Sequence, residues 1–146
     1  MPSLMNPTPL ILLVDDNPAD AGLTCEVLNT SERQTRIQTV SDGEEALAFL
    51  HRTGKYSEAN RPDLLILDLN LPRKDGRAVL AEVKADPELN EIPVVIFTTS
   101  RSGRDIARSY ELGANCYMTK PGNLAQFFSA VRCLENFWFG FASLPN

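Results

Sequence analysis

Cysteine, histidine and tryptophan are scarce in this chain, numbering three, one and one among 146 residues. Cys25, Cys116 and Cys133 are odd in number, widely spaced and free of any C-x-x-C pairing, which argues against both a disulfide framework and a cysteine zinc site. They read as reduced thiols packed as small apolar groups. His51, the only histidine, sits near the end of an amphipathic helical stretch and before a polar loop, so it reads as a surface residue and not as a phosphohistidine or metal ligand. No G-x-x-x-x-G-K-[ST] loop is present, which excludes nucleotide hydrolysis of that type. No apolar run approaches membrane-spanning length, and Met1 to Pro9 lacks the basic and apolar stretches of a signal peptide, so a cytoplasmic location is expected. A net charge of -5 and the lack of any Lys/Arg run argue against nucleic-acid binding.

What is present fits one domain with a single core. Met1–Pro9, with three prolines, reads as a flexible leader. Leu10–Val14, Ile37–Val40, Leu64–Leu67, Val94–Phe97 and Cys116–Met118 are short apolar runs suited to buried strands. Between them lie helical patterns. Asp16-Asn17-Pro18 starts the first, with Ala21, Thr24, Cys25 and Leu28 on one face. Ser41 with Glu44 reads as a capping box for the second, which carries Ala46, Leu47 and Leu50. Gly76 opens the third, whose Val79, Leu80 and Val83 recur until Asp86-Pro87 stops it. Arg101–Leu112, stopped by Gly113, is the fourth, and Asn123 starts the last. This alternation predicts an α/β fold, a doubly wound parallel sheet with helices on both faces.

The residues of chemical interest stand just past strand ends. Asp15 and Asp16 follow the first strand, Asp68 the third, Thr98 the fourth and Lys120 the fifth. The carboxyl ends of parallel strands share one sheet edge, and ligands bind in the crevice outside it. Taken singly, each has a plain alternative: the acidic pair as a helix cap, Thr98 as a strand terminus, Lys120 as a solvated surface residue. Together, three crowded carboxylates call for a cation. Oxygen ligands in an incomplete set suit Mg2+, which keeps waters and accepts phosphate oxygens. A carboxylate such as Asp68 can hold a phosphoryl group as an aspartyl phosphate, with Lys and hydroxyl groups hydrogen-bonding its oxygens.

This residue set resembles the receiver domain of two-component response regulators over roughly Leu10 to Glu135. The resemblance implies a CheY-like, flavodoxin-like fold with five strands in the order 2-1-3-4-5. It identifies Asp68 as phosphoacceptor and Asp15, Asp16, Asp68 and the backbone carbonyl of Asn70 as holders of Mg2+. Thr98, thirty positions after Asp68, and Lys120 would contact the phosphoryl group. Tyr117, three before Lys120, occupies the family's aromatic switch position and would act with Thr98. The Lys120–Pro121 bond is expected to be cis. Thr99 stands where many receivers have alanine. A sensor histidine kinase would donate the phosphoryl group, and the protein would act as a phosphoacceptor instead of an enzyme. The alternative is a Mg2+-dependent phosphatase or phosphotransferase with an aspartyl-phosphate intermediate. Enzymes resembling the haloacid dehalogenases want an aspartate two residues after the nucleophile, where this chain has Asn70. A receiver-like protein that never phosphorylates would lack a key residue, and none is missing.

Asp68-Leu-Asn-Leu-Pro, Ile92-Pro-Val-Val-Ile-Phe-Thr-Thr-Ser and Asn115-Cys-Tyr look like the small regulators that partner bacterial and cyanobacterial phytochromes. That likeness implies a light-regulated kinase as phosphodonor and a stand-alone receiver. The last helix carries Phe127, Val131, Leu134, Trp138 and Phe141 on one stripe, with Phe137 and Phe139 off it. A helix to Phe139 would run about 25 Å at 1.5 Å per residue, well beyond the roughly 17 Å of a five-residue strand. Residues 136–146 therefore read as an extension and tail. Phe137, Trp138, Phe139 and Phe141 either fold back over their own domain or form a homodimer interface.

Overall fold

The computed structural model describes residues 8–145. Five strands form one parallel sheet: β1 (Leu10–Val14), β2 (Arg36–Val40), β3 (Leu64–Leu67), β4 (Val94–Thr98) and β5 (Cys116–Thr119). Their spatial order is β2-β1-β3-β4-β5, as expected. Four helices connect them, α1 (Pro18–Asn29), α2 (Gly43–His51), α3 (Gly76–Ala85) and α4 (Gly103–Glu111), and α5 (Leu124–Asn136) follows β5. The leader expected over Met1–Pro9 lies outside the described residues except for Thr8 and Pro9, whose carbonyls accept hydrogen bonds from Arg36.

Strand periodicity decides the two cores. Leu10, Leu12 and Val14 of β1, Leu65 and Leu67 of β3, and Val94 and Ile96 of β4 face one cluster with Leu47, Leu50, Val79, Leu80 and Val83 of α2 and α3. The alternate residues Ile11, Leu13, Leu64, Ile66, Val95 and Phe97 face the other with Val27 and Leu28 of α1 and Phe127, Val131 and Leu134 of α5. Successive side chains of a strand point to opposite faces. The three central strands are consequently buried throughout, whereas edge strand β5 is only half-buried. Each fully buried Leu or Ile contributes about 1.5–3 kcal/mol.

Three local expectations are corrected. The cap of α2 is Asp42, whose side chain accepts from the Glu45 N–H, and Ser41 lies one residue outside it. Either residue satisfies the capping pattern, and the backbone entering from β2 selects the second. The Lys120–Pro121 bond is trans, as is every other peptide bond among the described residues. An X–Pro bond prefers trans by only about 0.5–1 kcal/mol, so sequence alone leaves its isomer open. Finally, α5 does not continue its stripe: Phe137–Phe141 forms a π-helical turn. Its i→i+5 bonding adds a residue to the turn and rotates the aromatics out of α-helical phase. Trp138 and Phe139 fold back onto the α1/α5 core, whereas Phe137 and Phe141 are 54% and 83% exposed. Among the described residues no helix is long and apolar enough to cross a membrane.

Candidate functional site

Sheet hydrogen bonding carries the acidic residues to one edge. The Asp15 N–H donates to the Val40 carbonyl at 3.1 Å and the Asp68 N–H to the Val14 carbonyl at 3.0 Å, so both acids extend the ladder by one residue. The Lys120 N–H donates to the Thr98 carbonyl at 2.6 Å, which brings these two side by side at the ends of β4 and β5. One carboxylate oxygen each from Asp15, Asp16 and Asp68 lies within 4.8 Å of the others. Asp15 and Asp68 are buried and Asp16 is exposed, so the cluster opens to solvent on the Asp16 side.

Lys120 fills the inner side of this cluster. Its Nζ donates to Asp15 Oδ2 at 2.8 Å, Asp20 Oδ2 at 2.9 Å and Asp68 Oδ2 at 3.0 Å. The remaining oxygens of the two inner acids have backbone donors, Asn17 N–H to Asp15 Oδ1 and Leu69 N–H to Asp68 Oδ1. Burial alone pushes the Lys120 ammonium down, but hydrogen bonds to Asp15 and Asp20 and the charges of Asp15 and Asp68 outweigh it and hold it above the usual lysine range. Burial is the largest influence on Asp15 and raises its carboxyl, against the hydrogen bonds from Lys120 and Asn17 and with the Asp68 charge adding to the rise. The one ammonium is shared among three carboxylates, and Asp16 stands beside them, so negative charge exceeds positive at this edge. The residual negative charge and all-oxygen donor set fit a hard divalent cation.

Asp20 was missed in the sequence. It lies in the first turn of α1, where an acid complements the helix dipole. The signal was present, because extending the buried α1 face back one turn from Leu28 and Thr24 reaches Asp20. Asn17 aims it by capping α1 through the Ala19 and Asp20 N–H groups, with Pro18 in the first turn. Asn70 lies exposed in the loop after β3. That loop is tightened by Gly76, whose N–H donates to the Leu69 carbonyl at 2.8 Å.

Thr98 is fully buried at the strand end and Thr99 is exposed. Tyr117 is half-buried, and its hydroxyl donates to the Ser100 carbonyl at 2.9 Å, which ties it to the loop that follows Thr98. Ser100 Oγ also donates to Asp105 at 2.6 Å, and Asp105 accepts from Arg77 at 2.8 Å. The β4–α4 loop is thereby bonded to both β5 and α3, a connection absent from the sequence reading.

A parallel sheet in this order with an acid cluster, a hydroxyl and a lysine on its carboxyl edge defines a phosphoacceptor class of signalling domain. The chain belongs to the response regulator receiver domain family, which it matches over residues 11–132. It is 49% identical over 140 residues to the response regulator Rcp1 of Synechocystis sp., covering 96% of this chain and 95% of that one. It also resembles the phosphorylated cyanobacterial phytochrome response regulator RcpA, with a TM-score of 0.93 and 51% identity over 96% of this chain and all of the other. The Mn2+-bound form of Rcp1 aligns with a TM-score of 0.92 and 48% identity, covering 94% of this chain and 99% of that one.

Proposed function

We propose that this receiver takes a phosphoryl group on Asp68 from a sensor histidine kinase, in a reaction requiring Mg2+, and signals through a change of surface. The observation that carries the reading is the convergence of Asp15, Asp16 and Asp68 within 4.8 Å, with Lys120 bonded to the middle of the cluster. Asp15, Asp16, Asp68 and the Asn70 carbonyl would hold the Mg2+, which when bound supplies positive charge to the phosphoryl oxygens. The Asp68 carboxylate attacks phosphorus, an O–P bond forms, and the donor's N–P bond breaks with its electron pair returning to the imidazole nitrogen. Lys120 donates to a phosphoryl oxygen, and Thr98 turns its hydroxyl to another. That rotation draws the β4–α4 loop inward and frees the Tyr117 hydroxyl from Ser100, so the phosphoryl group biases a two-state element.

The likeness to Rcp1 and RcpA supports a phytochrome-type kinase as phosphodonor and a cytoplasmic location. The exposed rings of Phe137 and Phe141 support a homodimer, since aromatics are favoured at interface cores and a twofold pairing would repeat each contact twice. Trp138 and Phe139 would brace that surface from within. Incubation with radiolabelled acetyl phosphate and Mg2+ tests the assignment: the wild type takes up label and Asp68→Asn does not. Equal labelling of the two would sink it. Profiling against purified histidine kinases tests the partner, with preferential transfer from phytochrome kinases expected and indifference among kinases counting against it.

A further inference from the structure

We propose that Asp20 is a positioning residue that restrains Lys120 and thereby sets how tightly the site holds a phosphoryl group. An ammonium has three N–H donors. In the resting site Asp15, Asp20 and Asp68 take all three, at 2.8, 2.9 and 3.0 Å. Asp15 and Asp68 belong to the cluster whose oxygens converge for a metal, and Asp20 does not. Among the described residues the Asp20 carboxylate accepts from Lys120 alone, so restraining that ammonium is its one contact there.

Asp20 is also the most exposed of the three acceptors. Its side chain is 23% exposed, against 2% for Asp15 and 10% for Asp68. It borders a hollow of about 180 Å3 lined by Leu23, Pro121, Gly122 and Phe127, so water reaches its far side. Removing its charge has two effects of the same sign. One Lys120 donor is held less strongly and yields more readily to an incoming phosphoryl oxygen, and one negative charge fewer repels that anion. Asparagine keeps a side-chain oxygen at the same distance, so the ammonium stays aimed while the charge is lost.

This inference rests on Asp68 being the phosphoacceptor. The probe is beryllofluoride at saturating Mg2+, with affinity measured by 19F NMR of the full chain. Asp20→Asn is expected to bind about fivefold more tightly than wild type, the change that loss of one partly exposed ion pair gives. The fluorine resonance nearest Lys120 should shift, a response that a merely structural role would not produce. Asp20→Glu restores the charge and should return the affinity toward the wild-type value. If Asp20→Asn does not fold, Asp20→Ser takes its place. Equal or weaker binding by the charge-removing variant, or equal tightening by Asp20→Glu, would overturn the proposal. Wild-type protein that binds no beryllofluoride would instead overturn the phosphoacceptor reading.

Discussion

Replacing Gly76 with alanine should damage fold and site together, because the backbone around Asp68 closes over that glycine. A methyl group at Gly76 would sit 2.1 Å from the Asp68 carbonyl oxygen and 2.7 Å from Leu69 Cα. Ordinary contacts lie near 3.5–4.0 Å, so something must move by roughly 1–2 Å. The obstructing atoms are backbone, fixed by the pairing of β3 with β1 and β4 and by the Gly76 N–H bond to Leu69, and no flexible side chain can absorb the strain. Overpacking typically costs 1–3 kcal/mol, and a rigid neighbour places Gly76→Ala near ~3 kcal/mol. With a urea slope of roughly 1–3 kcal/mol per molar, the unfolding midpoint should fall by at least about 1 M. Gly22→Ala supplies the opposite case. Gly22 lies inside α1 with nothing within 4 Å of an added methyl group, so alanine should stabilise by about 0.5–1 kcal/mol through helix propensity. Urea unfolding followed by circular dichroism measures both. A Gly76→Ala midpoint within about 0.3 M of wild type, well below the shift derived from the slope, would refute the packing argument. Folded Gly76→Ala protein should also label more slowly with acetyl phosphate, since the displaced atom is the carbonyl oxygen of Asp68, the proposed phosphoacceptor.

Lys120→Met leaves Asp15 and Asp68 buried without their cation and should cost about 3–5 kcal/mol in metal-free urea unfolding, part of which saturating Mg2+ restores. Because the folded Lys120 is held above its ordinary value, its contribution is complete below pH ~10.4 and is lost only as alkali passes through the raised folded value. A wild-type advantage over Lys120→Met that disappears between pH 6 and 9 would contradict that sign. Thr98→Ala should still accept label from acetyl phosphate but leave the NMR shifts of Tyr117 unchanged on phosphorylation; movement of Tyr117 as in wild type would show that Thr98 is not the link. Phe141→Asp changes a ring that is 83% exposed, so it should preserve the unfolding midpoint while converting a dimer to a monomer in sedimentation. Unaltered sedimentation would remove Phe141 from any interface.

The alternation of short apolar runs with helical stripes was enough, by itself, to determine a parallel sheet and the residues at its strand ends, while the strand order came from the family resemblance. Those features are written at sequence range: a strand buried on both faces needs a run such as Leu64–Leu67, and a carboxylate just past it stands at the edge wherever the sheet places that edge. Thr98 and Lys120 were legible for the same reason, being next to the ladder that carries them. Tertiary structure alone decided what lies between elements. Asp20 stands on the buried stripe of α1, but its partner Lys120 lies one hundred positions away, and only the fold brings the two together. The bridge from Arg77 through Asp105 to Ser100 joins α3, α4 and a loop whose relative placement no periodicity encodes. The π turn at Phe137–Phe141 likewise escaped a stripe counted at 3.6 residues. Its extra residue turns Trp138 and Phe139 onto the core and Phe141 to solvent, and that choice is settled by which rings the α1/α5 surface can cover.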